Sequence, residues 1–248
     1  MISRLVSRGL FAGAVLLGVE AAYAVLRPSP DLPEFDPSSE FGDPDDPTLR
    51  VAVLGDSSVT APGVNGPEEI WVSHVCRRLA DDRRVLLRSF AVGGAMARDL
   101  IETQVDQALR FHPDVVFVSV GANDTIKGTP LRRFRSDLGQ LIGKLAATGA
   151  LVIQSGVGDL GTIPRLYPPL RNLMSRRAER FDRAHWEVAE HHGTIVVNQR
   201  SDDLSLWYRD RSLWAADLFH VSARGHERWA ELAWKALDPA LNGSHGTR

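Results

Sequence analysis

The chain is poor in the features that identify several large protein classes. It holds one cysteine, Cys76, in 248 residues. No internal disulfide can form, so the fold must rest on a packed core. The motif Trp71-Val72-Ser73-His74-Val75-Cys76 reads as a core-facing helix carrying an inert buried thiol. Charge of one sign is lacking too. The formal net charge is -2, which gives no electrostatic footprint for nucleic acid. Lysine is confined to Lys127, Lys144 and Lys235. There is no internal repeat, and no low-complexity stretch outside one proline-rich segment, which excludes solenoid architectures. Metal and dinucleotide signals are incomplete. His185, His191 and His192 have no acidic or cysteine ligand to complete a set, and Gly156-Val157-Gly158 lacks the third glycine and following helix of a dinucleotide loop. The cluster Arg176, Arg177, Arg180 and Arg183 reads as the solvated face of an amphipathic helix.

Apolar residues make up 44% of the chain, enough for one large domain. Four segments are expected. Residues 1–26 open with Arg4 and Arg8 ahead of an apolar run that Glu20 interrupts. They read as a secretory signal with an Ala22-Tyr23-Ala24 cleavage site, or as a retained membrane anchor. Residues 27–48 carry Pro28, Pro30, Pro33, Pro37, Pro44 and Pro47 among acids and serines, and are expected to form an extended, solvated spacer. Residues 49–238 form the domain, and residues 239–248 a flexible tail. This places the protein outside the cytoplasm or tethered to a membrane through its N-terminus; a cytoplasmic protein with an amphipathic N-terminal helix is the alternative.

From Leu49 onward strands and helices alternate. Strands are expected at 49–54, 85–92, 114–120, 150–154 and 194–197. Helices are expected at 68–80, 97–110, 131–147, 170–191 and 222–237, the last capped by Ser222. The alternation predicts a parallel sheet covered by helices on both faces. Ligands of such sheets bind at the carboxyl ends of the strands.

Three short motifs fall at those ends. The first strand runs into Gly55-Asp56-Ser57-Ser58. Gly55 permits a tight turn and Asp56 can bond its backbone, leaving Ser57 as a candidate nucleophile; Ser58 beside it reads as a turn former. Asp217-Leu218-Phe219-His220 lies in a loop before the last helix. That spacing lets a carboxylate face imidazole Nδ1–H and leaves Nε2 to accept a serine proton. His226, on the following helix, has no acid at that spacing and reads as a surface or packing residue. Asn123, after the third strand in Gly121-Ala122-Asn123-Asp124, and Gly94, after the second in Val92-Gly93-Gly94-Ala95, can add donors for a developing oxyanion beside the Ser57 N–H. Turns and helix caps would use the same residue types.

In order and spacing these motifs resemble the SGNH hydrolases, also called GDSL esterases and lipases, over about residues 49–237. Gly55-Asp56-Ser57 matches the block of the nucleophile, Ala91-Val92-Gly93-Gly94 the oxyanion glycine, Gly121-Ala122-Asn123-Asp124 the asparagine block, and Asp217-Leu218-Phe219-His220 the acid–base pair. Ser89 stands where an asparagine is usual, and Val221 where proline is frequent after the histidine. The resemblance implies a three-layer, flavodoxin-like α/β/α fold with a five-stranded parallel sheet in the order 2-1-3-4-5. It implies no cofactor, and no metal. Ser57, Asp217 and His220 would be catalytic, with Ser57, Gly94 and Asn123 forming the oxyanion hole.

The expected activity is a serine hydrolase cleaving carboxylic esters of small molecules or acylated carbohydrates, without nucleic-acid partners. A carbohydrate O-acetylesterase is the second reading. A membrane-tethered, non-catalytic binding protein of the same fold is the rival from another class. The loop Gly158 to Pro169, with Leu160, Ile163, Pro164, Leu166 and Tyr167, and the aromatic residues Trp207, Trp214 and Phe219 are expected on the substrate side.

Overall fold

The computed structural model describes residues 15–24 and 26–243. Six strands form one sheet: β1 (Ser39–Phe41), β2 (Thr48–Gly55), β3 (Arg84–Ser89), β4 (Val115–Ser119), β5 (Leu151–Ser155) and β6 (Ile195–Val197). Five long helices cover it. They are α1 (Trp71–Leu79), α2 (Ala97–Asp99, continuing through a π-helical stretch Leu100–Gln104 into Val105–Arg110), α3 (Leu131–Ala146), α4 (Leu170–His192) and α5 (Ala223–Gly243).

The centre of the sheet follows from the continuous apolar runs. Val51, Ala52, Val53 and Leu54 of β2 are fully buried, as β4 is along its whole length. A strand buried on both faces loses polar–apolar alternation, which is the mark of a helix-covered parallel sheet. Its side chains still point to opposite faces. Val51 and Val53 pack with Phe117, with Val72, Val75 and Cys76 of α1, and with Ala233 and Leu237 of α5. Ala52 and Leu54 pack with Leu100 of α2, Phe134 and Leu138 of α3, and Phe181 of α4. Cys76 is fully buried, and burial pushes its thiol well above the usual range.

The sheet order is β1-β3-β2-β4-β5-β6. The expected five-stranded, wholly parallel sheet is corrected here to six strands of mixed direction; the five expected strands keep the order 2-1-3-4-5 in their own numbering. β2, β3, β4, β5 and β6 pair in parallel, while β1 adds an antiparallel edge on β3, with Ser39 opposite Leu87 and Phe41 opposite Val85. The added strand comes from the segment expected to be a solvated spacer. Proline is absent between Pro37 and Pro44, so residues 39–41 keep every backbone donor and can cover the open edge of β3. The same segment is held elsewhere: Phe35 packs against the core and its N–H donates to the carbonyl of Thr60 (2.8 Å), and the N–H of Ser89 donates to Ser38 Oγ (2.9 Å).

Both ends of the chain are described in part. Residues 15–24 are helical, and Glu20 Oε2 accepts a hydrogen bond from the N–H of Leu170 at the start of α4 (2.9 Å). Among the described residues no helix is long and apolar enough to cross a membrane. The first half of the expected signal or anchor, residues 1–14, lies outside the described residues. α5 runs through Pro239 to Gly243, into the expected tail; residues 244–248 lie outside the described residues. Ser222 does cap α5, accepting a hydrogen bond on Oγ from the N–H of Gly225 (3.4 Å).

His185 belongs to the core. It is fully buried on α4 beside Phe134, its Nε2 donates to the carbonyl of Val120 (3.2 Å), and its Nδ1 pairs with the side-chain amide of Gln154 (3.0 Å). Val120 O can only accept, so Nε2 carries a proton. Burial lowers its pKa to about 4, against the ordinary 6.5. A depressed histidine contributes stability that is complete above the unfolded value and is lost as pH falls toward the folded one. His185→Gln, which removes the titration and keeps an amide donor, is therefore expected to melt less acid-sensitively than the natural chain. The difference in unfolding free energy should change by on the order of 3 kcal/mol between about pH 7 and pH 4. A pH-independent difference in melting curves would refute this.

Candidate active site

The site starts at the end of β2. Gly55 there lies against β4: a Cβ would come within 2.6 Å of the Ser119 carbonyl oxygen and 2.9 Å of Val59 Cγ2. No other residue can make that approach. Both polar groups of Gly55 are held by one side chain, Gln104, fully buried in the π-helical stretch of α2. The N–H of Gly55 donates to Gln104 Oε1 (2.9 Å), and Gln104 Nε2 donates back to the Gly55 carbonyl (2.9 Å). The sequence reading missed Gln104. No short motif contains it, and an amide on a helix is ordinarily a surface residue.

Beyond Gly55 the chain turns into a single helical turn, Ser57–Thr60, with Asp56 as its cap. Asp56 Oδ1 accepts from the N–H of Ser58 (2.9 Å), which leaves the N–H of Ser57 outside the cap. The Asp56 carboxyl is buried. Desolvation raises its pKa, against the lowering effect of the bonds from Ser58 and Asn123. Ser58 also lines the cavity described below, but its polar groups are engaged: its Oγ shares a hydrogen bond with Ser119 Oγ (2.7 Å), and its carbonyl accepts from Trp71 Nε1 (3.0 Å).

The acid–base loop is closed by its own hydrogen bonds. Asp217 Oδ1 accepts from the N–H groups of Phe219 and His220 (2.9 Å each), and Oδ2 lies 2.6 Å from His220 Nδ1. Burial pushes the Asp217 carboxyl up, but the hydrogen bonds from the His220 ring and these two N–H groups outweigh it and hold it below the usual carboxylate range. Leu218, between them, has φ 61. A left-handed leucine is strained by about 1–3 kcal/mol and persists only where its surroundings hold it. Among the described residues no hydrogen bond involves His220 Nε2 or Ser57 Oγ.

Ser57 and His220 line one cavity of about 140 Å³, walled by Leu160, Ile163, Trp207, Trp214, Phe219 and Trp229. Of the residues expected on the substrate side, Leu160, Ile163, Trp207, Trp214 and Phe219 line this cavity with Ser57, whereas Pro164, Leu166 and Tyr167 do not. His226 lines it too, as a fully buried packing residue rather than a surface one. Its Nδ1 accepts from the N–H of Trp71 (3.4 Å), and burial lowers its pKa to about 3.

Gly94 and Asn123 are not among the residues lining this cavity. Asn123 is nevertheless joined to the serine turn: its Nδ2 donates to Asp56 Oδ2 (3.0 Å) and to the carbonyl of Ala95 (3.2 Å). Its neighbours fix the same loop. Asp124 Oδ2 accepts from the N–H of Ala97 (2.9 Å), and Lys127 Nζ donates to the Gly94 carbonyl (2.8 Å). Gly94 has φ 76, and nothing lies within 4 Å of where a Cβ would be. The glycine is needed there for its backbone conformation, and its surroundings are open.

Among the described residues no group of three histidine, cysteine, aspartate or glutamate side chains could hold a metal ion. At the strand ends lie the Ser57 hydroxyl and, in the same cavity, the hydrogen-bonded Asp217–His220 pair.

Gln104→Leu tests the first link. It keeps the volume but orphans the buried N–H of Gly55, at a cost of about 1–3 kcal/mol; the Gly55 carbonyl keeps the N–H of Val92 (3.1 Å). The variant should be folded, less stable by that order, and impaired in kcat because the serine turn is released. Unchanged thermal stability would show that the latch carries no energy.

The chain is similar to "Esterase TesA" of Pseudomonas aeruginosa, with 28% identity over 194 residues, covering 77% of this chain and 89% of the relative. A crystal structure of TesA superposes with a TM-score of 0.64 at 24% identity, over 77% of this chain and 99% of that one. The acetyl xylan esterase AlAXEase does so with a TM-score of 0.60 at 21% identity, over 75% and 98%. Residues 53–228, from β2 into α5, match the GDSL-like lipase/acylhydrolase family; the chain belongs to that family and is an ester hydrolase.

Proposed function

We propose that Ser57 and His220 cleave carboxylic esters through a covalent acyl-enzyme, with Asp217 as the orienting acid. The observation that carries this reading is the meeting of Ser57 and His220 in one cavity, with Asp217 bonded to the far nitrogen of the imidazole. His220 Nε2 takes the proton as Ser57 Oγ attacks the ester carbonyl. The imidazolium then protonates the leaving alcohol, and water, activated by the same nitrogen, releases the acid and restores the serine. Asp217 stays ionised and fixes the tautomer; its depressed pKa suits that task.

The oxyanion is assigned to the N–H groups of Ser57 and Gly94 and to the Asn123 amide. Asn123 donates to Ala95 O in the resting site. In this reading that hydrogen passes to the oxyanion as charge develops, so the bond is strongest in the transition state.

The substrate side favours a short to medium acyl chain. An apolar cavity of about 150 Å³ holds one benzene, so the cavity here suits an acyl part of about six carbons. Acylated carbohydrate is the second reading, supported by the acetyl xylan esterase among the structural neighbours. Trp207 and Trp214 are buried in the cavity wall rather than presented on the surface, which favours the acyl chain. The basic, apolar start of the chain supports export or tethering to a membrane. Mass determination of the mature N-terminus distinguishes cleavage after Ala24, which would remove the contacts of Glu20, Tyr23 and Ala24 with the domain, from retention.

Ser57→Ala and His220→Ala should each abolish hydrolysis of p-nitrophenyl esters, and the double variant should lose little more, because both act in one proton-transfer step. Multiplying losses would dissolve the pair. Asn123→Ala should lower kcat by about a hundredfold or more, with KM little changed. A rise in KM alone would return Asn123 to a loop-holding role.

A further inference from the structure

We propose that Arg165 is a positioning residue for the Asp217–His220 pair, clamping the catalytic loop to the N-terminal segment. The proposal rests on the reading of Asp217 and His220 given above. Arg165 lies on the loop before α4 and is buried, with 7% of its surface exposed. A buried arginine is ordinarily paired with a carboxylate. Here its hydrogen bonds all go to carbonyl oxygens. Nη1 donates to Asp217 O (3.1 Å), Nε to Ala24 O (2.6 Å) and Nη2 to Arg27 O, while its own backbone N–H donates to Leu218 O (3.2 Å).

Two of these acceptors belong to the peptides on either side of Leu218, the left-handed residue. Those peptides set where the Phe219 and His220 N–H groups point, and so where the Asp217 carboxylate sits. If the peptides relaxed toward an unstrained leucine, the carboxylate would turn away from His220 Nδ1. Arg165 opposes that turn from one side. From the other it is held by the end of the helix of residues 15–24, whose C-terminal carbonyl Ala24 O carries partial negative charge. Tyr23 against Tyr167 and Glu20 at Leu170 fix the same helix on the same loop. Three acceptors on two segments require a planar, forked donor, which a lysine does not have.

The test uses the full chain with Arg165→Met, Arg165→Lys and Ser57→Ala, assayed on p-nitrophenyl butyrate. Arg165→Met should lower kcat by about tenfold to a hundredfold, with KM within about twofold, since misplacement of a catalytic group is felt mainly in the chemical step. The downfield proton NMR signal of His220 Nδ1–H should broaden or disappear. Arg165→Lys should fall between. Leu218→Gly, which adopts the left-handed conformation without strain, should restore part of the kcat lost in Arg165→Met. A folded Arg165→Met with kcat within about twofold and an unmoved proton signal would overturn the proposal. Failure of both Arg165 variants to fold would overturn it as well, by making the residue a folding element. If Ser57→Ala keeps its activity, the site assignment falls, and the proposal with it.

Discussion

The two hydrogen bonds between Gln104 and Gly55 anchor the site to the fold. Gly55 must touch β4 closely enough that no side chain fits, and a strand so placed ends with polar groups that the ladder cannot all satisfy. The buried Gln104 amide of α2 accepts from the Gly55 N–H and adds a second donor to the carbonyl, which also accepts from the N–H of Val92. The backbone therefore leaves β2 in one direction, and the serine that follows is aimed by the sheet rather than by a loop. A buried N–H without a partner costs more than a formed bond contributes, so the latch acts chiefly by making every other exit from the strand unfavourable.

From that anchor the rest is a chain of short bonds along the carboxyl edge of the sheet. Asp56 caps the serine turn and accepts from Asn123; the same Asn123 amide donates to the Ala95 carbonyl; Asp124 and Lys127 hold the loop on its other side. Three strand ends thus become one rigid rim. Catalytic groups need placement within a fraction of an ångström, and a rim built from strand termini supplies it better than free loops. The burial of Asp56 and Asp124, whose carboxyls desolvation holds above their usual range, is the energetic counterpart of that rigidity: polar groups are taken from water to fix backbone.

The legible part of the molecule was the part written in local pattern. The apolar runs at 51–54 and 115–119 identified central strands because helix-covered strands lose alternation. The serine and histidine motifs were legible because a tight turn and a loop before a helix demand particular residue types at fixed spacing. β1 was not legible. Ser39–Phe41 is three residues long and stands among prolines, and its strand conformation comes from the open edge of β3 rather than from its own propensity. Gln104 and Arg165 were hidden for a related reason. Each acts over a long sequence separation, and nothing around either marks it as buried.

The two ends of the site are thus held by different physics. The serine side is held by backbone geometry, the neutral Gln104 amide and the buried Asp56 carboxyl. The histidine side is held by a carboxylate whose ionisation is stabilised by hydrogen bonds, next to a leucine in a strained conformation. Strain of that kind does not persist unless neighbouring contacts over-determine it. The contacts that do so reach back to residues 24–27, in a segment that local composition assigns to a leader and a spacer. Residues 24–27 and the loop of Asp217 and His220 are therefore joined through Arg165, although nearly two hundred residues separate them in sequence.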